Sequence, residues 1–454
     1  MAEKVERVFN QALDSLKQWR DSYGAWEIDP TLSVSEEKIS NVFQELASRM
    51  EGNYPFHHPV YAGQMLKPPH YIAQAAYSLA MHINPNNHAL DGGPPSSEME
   101  KEVIKLLAGF FGYGDQYLGH LTSSGTIANL EALWVARKSH PGKKIAFSEH
   151  AHYTHERMCE VLGIEGVKIP VKPDGNFDLK SINASEIGTI IVTLGTTGLG
   201  EVEPLDVILP WAKKHDIRIH IDSAYGGFFR ALKDSELIDG TCWKLMQEAD
   251  SIVVDPHKHG LQPYGCGAIL FKNPDVGSFY KHDSPYTYFT SDDLHLGEIS
   301  LECSRAGAAA VAFWATLQCF PLKEREGFGP ILARCRQAAL KGFSLMETCP
   351  FLTPYKMPQL DILTYFPKTN EIRTTEQISS ISKKVFDAGM NTRKFYLSLY
   401  KVPADSFTEF HPNFEVNTET VTILRSVLMR PEQADFIEEL VARIEREVEQ
   451  CQIF

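Results

Sequence analysis

The sequence lacks three features that would place it in a whole class of protein. Its eight cysteines include no C-x-x-C pair, so neither a zinc ribbon nor a disulfide framework is indicated. No apolar run approaches the roughly 20 residues of a membrane-spanning helix, and we expect no membrane association. No apolar signal-peptide core is visible near the N-terminus, and together with free thiols this favours the cytoplasm.

Positive charge is also in deficit. The chain has 44 Lys and Arg against 58 Asp and Glu, which gives a net charge of −14 at pH 7. A net acidic surface repels phosphate groups, so it argues against nucleic acid or an anionic membrane as a partner. One local basic pocket can still hold a small anionic ligand. The 43% of hydrophobic and 22% of charged residues are typical of a globular chain with a large core.

Three regions with different hydrophobic patterns divide the chain. Residues 1–60 contain two amphipathic patterns, at 4–20 and 35–50, which predict a helical segment that packs on its own chain or on another subunit. Residues 61–345 alternate short β-branched runs with helical stretches, which predicts an α/β domain with a mostly parallel central sheet and helices on both faces. Residues 346–454 predict a small C-terminal α+β domain.

The first motif with recognisable chemistry is Ser124-Gly-Thr126, which lies directly before a helical run at 130–138. Small residues at a helix start leave backbone N–H groups free at its positive end, and such groups bind phosphate. An ordinary Ser/Thr helix cap gives the same pattern. This motif alone therefore leaves both interpretations open.

Two further motifs follow predicted buried strands. Asp222 ends one strand, and a carboxylate there needs a cationic partner unless it caps the next loop. Lys258, in Asp255-Pro-His-Lys258, follows another strand, where an amine can point into a cleft and form a Schiff base. Ligands bind at the carboxyl ends of parallel strands. A phosphate cradle, a strand-end acid and a strand-end lysine are together what pyridoxal 5′-phosphate requires.

With Thr193-Leu-Gly-Thr-Thr197 and His220-Ile-Asp-Ser-Ala-Tyr225, these motifs resemble those of the group II pyridoxal-phosphate-dependent amino-acid decarboxylases. The layout is closest to the short bacterial and archaeal tyrosine/aspartate-type decarboxylases. The resemblance extends from about His57 to Pro431. It implies a fold-type I transferase-like fold, pyridoxal 5′-phosphate as cofactor, a small amino-acid substrate, and a homodimer with active sites at its interface.

The resemblance also implies a role for each matching residue. Lys258 would hold the cofactor aldehyde, Asp222 would pair with its pyridine nitrogen, and His152 would lie on its ring. The other cofactor contacts would come from Ser124, Gly125, Thr126, Thr197, Ala224 and His257. The substrate would be met by Gln64, Met65 and Arg425, and the catalytic tyrosine would be Tyr286 or Tyr288 from a loop of the neighbouring subunit.

Several alternatives stay open. A retro-aldol or aldehyde-forming enzyme would use the same cofactor site. A metal-dependent hydrolase would use the H-x-H-x-x-H pattern of His150, His152 and His155, although no carboxylate or Cys pattern completes it and we expect no metal. For the decarboxylase itself, the layout favours an aromatic, tyrosine-like substrate, whereas Gln64 resembles the glutamine of glutamate and cysteine-sulfinate decarboxylases. An acidic amino acid is therefore the second expectation.

Overall fold

A computed structural model describes residues 2–172, 175–281, 300–368 and 372–452. Its larger sheet has seven strands in the order β1-β7-β6-β5-β4-β2-β3. Within that sheet β7 runs antiparallel to both neighbours, and the other pairs are parallel. The predicted mostly parallel sheet is confirmed. The strands are β1 (Leu118–Thr122), β2 (Lys144–Ser148), β3 (Gly166–Ile169), β4 (Ile187–Thr193), β5 (Arg218–Asp222), β6 (Ser251–Val254) and β7 (Gly267–Phe271).

This topology brings the sequence motifs to one edge of the sheet. Both β1 and β6 are antiparallel to β7, so β1 points in the same direction as β4, β5 and β6. Asp222 is the last residue of β5, and the segments that follow β1, β4 and β6 carry Ser124, Thr197 and Lys258. All seven residues of β4 are buried, and since successive residues point to opposite faces, both faces of the sheet are covered.

Two helix starts lie earlier than the hydrophobic pattern predicted. The hydrophobic pattern predicts a helix from Glu98 to Phe111, but the helix begins at Pro94, a residue that suits the first helical position. The helix after Ser124 begins at Gly125. The helices around the large sheet are α3 (Tyr71–Met81), α4 (Pro94–Phe111), α5 (Gly125–Ser139), α6 (Thr154–Leu162), α7 (Leu205–Lys214), α8 (Thr241–Leu245) and α9 (Gly307–Cys319).

The C-terminal region contains a second sheet of antiparallel strands in the order β10-β11-β9-β8. The hydrophobic pattern predicts a helix from Ile378 to Tyr400, but the helix ends at Thr392, because Arg393 takes a left-handed conformation with φ of 57°. The following residues form an edge strand instead. The elements are α10 (Phe328–Thr348), β8 (Leu352–Pro354), β9 (Ile362–Pro367), α11 (Thr375–Thr392), β10 (Ser398–Pro403), α12 (Ala404–Phe410), β11 (Thr420–Val427) and α13 (Gln433–Gln452).

The two N-terminal helices, α1 (Ala2–Asp21) and α2 (Glu36–Met50), lie where the amphipathic patterns predicted them. Helix α2 has no buried residue. Its apolar stripe is exposed, with Phe43 at 65% and Val42 at 54%. None of the helices in the described ranges is both long and apolar enough to cross a membrane.

Candidate active site

Most of the residues predicted to hold the cofactor lie around one pocket at the carboxyl edge of the large sheet. The pocket is formed by the loops after β1, β4, β5 and β6 and by the start of α6. Its lining comprises Gly125, Thr126, Asn129, His152, Thr154, Thr193, Gly195, Thr197, Asp222, Ala224, Tyr225, Asp255 and Lys258. Ser124 and His257 are the direct chain neighbours of lining residues.

The start of α5 forms one end of the pocket. The Ser124 hydroxyl accepts a hydrogen bond from the Ile127 N–H at 3.3 Å, so Ser124 is the helix cap. The first N–H groups of a helix have no acceptor within the helix, which leaves those of Gly125 and Thr126 available to a phosphate. A Cβ on Gly125 would lie 2.6 Å from an oxygen of Asp255, so only glycine fits this approach. Capping and phosphate binding are therefore compatible here.

The Lys258 amine lies beside the carboxylate of Asp255, for which the sequence motifs predict no role. Its Nζ is 3.1 Å from Oδ2 of Asp255, a residue that is 3% exposed. The other oxygen of Asp255 is buried and has no hydrogen-bond partner within the described residues. His257 lies on the same carboxylate, with its Nε2 3.5 Å from Oδ2. The signal for Asp255 was its place in the Asp-Pro-His-Lys motif directly after β6.

Asp222 is a buried anion at the end of β5. Its Oδ2 is 2.8 Å from Nε2 of His155, and its Oδ1 accepts a hydrogen bond from the Ala224 N–H at 3.1 Å. Burial acts to raise the pKa of the Asp222 carboxyl, but the hydrogen bond and charge of His155, together with Lys258, hold that pKa well below its ordinary value of 3.8. Asp222 therefore presents a negative charge to the pocket at neutral pH.

The three histidines of the H-x-H-x-x-H pattern do not converge. His150 lies 3.8 Å from Glu201, His152 is hydrogen-bonded to the Thr154 hydroxyl at 2.8 Å, and His155 contacts Asp222. Within the described ranges, no group of three or more His, Cys, Asp or Glu side chains is arranged to hold a metal ion. This geometry gives no support to the metal-hydrolase alternative. Burial lowers the pKa of His152, which lines the pocket.

Arg425 is buried and hydrogen-bonded within the protein, unlike an arginine whose guanidinium is free to bind a substrate. It is 6% exposed and donates hydrogen bonds to the carbonyls of Thr197 at 2.6 Å and Gly198 at 2.7 Å. Further bonds reach the Ser398 hydroxyl at 3.0 Å and the Gly63 carbonyl at 3.4 Å. Its guanidinium therefore joins the loop after β4, strand β10 and the segment before Gln64. The predicted contact between Arg425 and a substrate carboxylate stays a prediction.

The other predicted substrate residues lie near this junction. Gln64 is exposed, and its backbone N–H donates to the Tyr61 hydroxyl at 3.1 Å. Met65 is half-buried against the main core. Neither lines the pocket described above. Tyr286 and Tyr288 lie outside the described residues.

One buried acid behind the pocket gave no sequence signal. Glu203 is 5% exposed and accepts hydrogen bonds from the Thr193 N–H at 2.5 Å and from the Ser148 hydroxyl. Burial raises the pKa of Glu203 to about 8. It follows β4 in a short loop whose sequence, Glu201-Val-Glu-Pro204, resembles any exposed acidic turn. Only the fold shows that this side chain turns inward.

The residues of the pocket suit the three groups of pyridoxal 5′-phosphate that a protein must bind: its phosphate, its ring nitrogen and its aldehyde. The free N–H groups at the start of α5 suit the phosphate. The ionised Asp222 suits a protonated pyridine nitrogen, and the half-buried Lys258 supplies the amine for the aldehyde. The unpartnered oxygen of Asp255 marks a polar position that the protein alone leaves unsatisfied.

Comparison with known proteins agrees with this geometry. An L-tyrosine decarboxylase of Enterococcus faecium is 25% identical, over 84% of this chain and 82% of its own. An aspartate 1-decarboxylase of Aliivibrio fischeri is 26% identical, over 82% of this chain and 76% of its own. The crystal structure of Oryza sativa TDC with PLP and tryptamine matches with a TM-score of 0.76 at 15% identity, over 98% of both chains.

The family model for the "Pyridoxal-dependent decarboxylase conserved domain" matches residues 25–341. That range includes the start of α5, Asp222 and Lys258, the three parts of the pocket that suit the cofactor. It covers well over half of the 454 residues. The chain therefore belongs to the pyridoxal-dependent decarboxylase family, whose members are carboxy-lyases that use pyridoxal 5′-phosphate.

Proposed function

We propose that the chain decarboxylates an aromatic L-amino acid, with tyrosine as the first candidate, to the corresponding amine and CO2. The observation that carries the substrate class is the charge of the pocket. Among its described lining residues, Lys258 is the one lysine or arginine, and that amine is needed by the cofactor. An acidic substrate side chain would need a second cation. The nearby Arg425 already donates to four protein acceptors.

The cofactor would be held at three points that the chain has prepared. The start of α5 and Thr126 would bind its phosphate, Asp222 its ring nitrogen, and Lys258 its aldehyde. Bound pyridoxal 5′-phosphate supplies an electron sink for the pair that remains on the substrate α-carbon when the carboxylate leaves as CO2. A fixed negative charge at Asp222 stabilises positive charge on the ring nitrogen, and preorganised charge of this kind is commonly the largest contribution to catalysis.

The remaining residues would act on protons and orientation. Asp255, with Oδ2 3.1 Å from Nζ, would hold the Lys258 side chain in place at the pocket, where its amine would meet the cofactor aldehyde. His152 lines the pocket, and its lowered pKa keeps the imidazole neutral at pH 7. A neutral ring can lie against a flat ligand without repelling the positive charge on it. Product protonation is the role proposed for Tyr286 or Tyr288.

A substrate panel tests the proposal directly. The purified protein, supplied with the cofactor, should release more CO2 per unit time from tyrosine than from aspartate, glutamate or cysteine sulfinate at equal concentration. The amine should appear in equal amount, because a retro-aldol or aldehyde-forming reaction would give a different product. Preferred turnover of aspartate would overturn the aromatic assignment and leave the decarboxylase assignment intact.

A substitution at Gln64 provides a second test between an aromatic and an acidic substrate. If the substrate is aromatic, Gln64→Leu should leave tyrosine turnover close to that of the parent, since no buried partner of the side chain is lost. If the substrate is acidic, the same change removes an amide donor and should reduce aspartate turnover. Gln74→Leu, at an exposed position on α3, controls for a surface glutamine lost outside the site.

We also propose that the chain acts as a homodimer through its N-terminal helices. Helix α2 exposes Ile39, Val42, Phe43, Leu46 and Met50, which are spaced along one face. An exposed, continuous apolar stripe of this kind is characteristic of a protein–protein interface. A second copy of the chain carries the same stripe, so a symmetric contact between the two copies would bury both stripes.

Light scattering tests the dimer. Phe43→Glu places a charge in the stripe and should give a monomer with little activity, whereas Gln44→Glu, at the adjacent exposed position on α2, should remain dimeric and active. A dimer in both variants would remove α2 from the interface. A fully active monomer would overturn the proposal that the sites need two subunits.

A further inference from the structure

His155 is buried in full, and its one described side-chain hydrogen bond is to Asp222. Its relative exposure is 0%, and Nε2 lies 2.8 Å from Oδ2 of the carboxylate. The other ring nitrogen, Nδ1, is buried and has no hydrogen-bond partner in the described parts of the chain. Because a carboxylate can only accept, Nε2 must carry the hydrogen. That donation is available to the neutral and to the charged imidazole alike.

The contact fixes how Asp222 faces the pocket. Oδ2 is held by the imidazole, and Oδ1 is held by the Ala224 N–H at 3.1 Å. With each oxygen bound to a different part of the chain, rotation of the carboxylate about its Cβ–Cγ bond would break both bonds. A carboxylate oxygen can accept more than one hydrogen bond. Asp222 thus keeps acceptor capacity for a ligand while its orientation is set in advance.

The turn at the start of α6 explains the spacing of the histidines. The N–H of His155 donates to the carbonyl of His152 at 3.0 Å, so the two residues lie one turn apart. His152 lines the pocket, while His155, which is not among its lining residues, reaches Asp222 from within the protein. His155 is also the second residue of α6, where the helix end favours a nearby negative charge.

We propose that His155 is a positioning residue: it holds Asp222 in the orientation and charge state that the cofactor's ring nitrogen needs. It touches neither substrate nor cofactor and acts through the carboxylate. This inference rests on the proposed role of Asp222. The H-x-x-H spacing then serves one site, with one histidine in the pocket and the other behind its anion.

Cofactor affinity of the apo protein is the deciding measurement, because it does not depend on turnover. His155→Phe keeps a ring of similar size and removes the donor. A hydrogen bond to a charged group contributes about 1.5–3 kcal/mol, so the dissociation constant for pyridoxal 5′-phosphate should rise about 10- to 100-fold. The absorption spectrum of the bound cofactor should change as well, since the ring nitrogen would face a less firmly held charge.

A matched control separates positioning from packing. His120 is also buried and pairs with a carboxylate, with Nε2 2.7 Å from Oε2 of Glu131, but it does not line the pocket. His120→Phe should lower thermal stability and leave cofactor affinity close to that of the parent. Equal losses of affinity in His155→Phe and His120→Phe would overturn the inference, as would unchanged affinity in His155→Phe.

Two polar variants keep the test valid if the phenylalanine variant does not fold. The amide nitrogen of His155→Gln reaches about as far as the imidazole Nε2, whereas that of His155→Asn ends near the position of Nδ1. Glutamine should restore affinity and spectrum, and asparagine should not. Equal behaviour of the two would refute positioning through Oδ2. Asp222→Asn tests the underlying assignment separately: if it leaves affinity and spectrum unchanged, the proposed role of Asp222 is wrong, whatever His155 does.

Discussion

Replacing Arg425 by methionine distinguishes a structural clamp from a substrate-binding residue. Methionine has similar length and no donor, so the change removes four hydrogen bonds, of which the strongest join the carbonyls of Thr197 and Gly198 at 2.6 and 2.7 Å. Bonds with a charged partner contribute about 1.5–3 kcal/mol each, but they do not add here, because removing the guanidinium also removes the cost of burying it. We expect a net loss of about 3–5 kcal/mol, because buried acceptors that lose their donor cost about 1–3 kcal/mol each and the relief of burying the charge offsets part of that sum.

This loss should be visible in the apo protein. An unfolding entropy of about 2.1 cal/mol/K per residue gives roughly 1 kcal/mol/K for the whole chain, so the melting temperature should fall by roughly 3–5 °C. Thr197 lines the pocket, and its loop loses an anchor, so cofactor affinity should also decrease. Arg425→Lys should have a melting temperature and a cofactor affinity between those of the parent and of Arg425→Met, because an ammonium cannot reproduce the planar fork of donors.

Thermal unfolding of apo protein and steady-state kinetics with tyrosine decide between the two roles. Arg446→Met is the control, since that side chain is 58% exposed and its loss should change stability by less than about 0.5 kcal/mol. If Arg425→Met melts like the parent and only KM rises, the clamp is refuted and the arginine binds the substrate carboxylate, as the family resemblance implied.

Three further changes test the pocket itself. Lys258→Ala should remove the visible absorbance of covalently held cofactor and all turnover while the far-UV circular dichroism stays unchanged; colour that borohydride still bleaches would contradict the assignment. Asp222→Asn should fold but lose about 100-fold or more in kcat, the usual effect of losing one preorganised charge, and near-parental kcat would exclude that role. Glu203→Gln should remove part of the pH dependence of stability. Burial raises the pKa of Glu203 to about 8, so the folded chain keeps a proton that the unfolded chain releases above about 4.5, and stability falls as pH rises between these values. Denaturant titrations of parent and variant at pH 5 and pH 8 measure this, and an equal fall in both would rule out Glu203 as the cause.

The sequence predicted the strands best where burial alone determines them. Ile190, Ile191 and Val192 form a run of apolar β-branched residues, and β4 indeed lies at the centre of the sheet with both faces covered. Strand β1 was missed, because Leu118-Gly-His-Leu-Thr122 mixes small and polar residues. His120 is polar yet buried, since Glu131 pairs with it in the folded chain. A local pattern cannot reveal a partner that only the fold supplies.

Helix ends were predicted less well, because the local sequence signals that end a helix are weak. The Ala-rich composition of residues 306–348 predicts helix throughout, but the stretch divides into α9 and α10. The break begins at Phe320, which precedes Pro321 and is therefore pushed out of the helical conformation. The proline was present in the sequence, but the apolar periodicity on both sides of it outweighed the signal.

In the site, the sequence predicted which motif residues come together, but not the side chains that support them. Lys258 follows β6 and Asp222 ends β5, and the order of the sheet brings those strand ends to one edge. The sequence offered His155 only as a ligand of the metal alternative and gave Glu203 no role, because each pairs with a side chain distant in sequence: Asp222 for the histidine, and Ser148 for the glutamate. Such partners are set by tertiary packing, which a single sequence records only as unexplained polar residues.

The C-terminal region takes part in holding the site, although the pattern of the sequence sets it apart at residue 346. Asp361 lies just before β9 and is completely buried. It accepts a hydrogen bond from the Tyr225 hydroxyl at 2.6 Å and lies 3.2 Å from Nε2 of His259. Tyr225 follows Asp222 by three residues, and His259 follows Lys258 directly. One carboxylate from the loop directly before β9 therefore contacts both loops that carry the charged ends of the pocket. Since helix α10 also continues across residue 346, the two regions share a core element as well as a site, and a cut between them would release both loops from their common anchor.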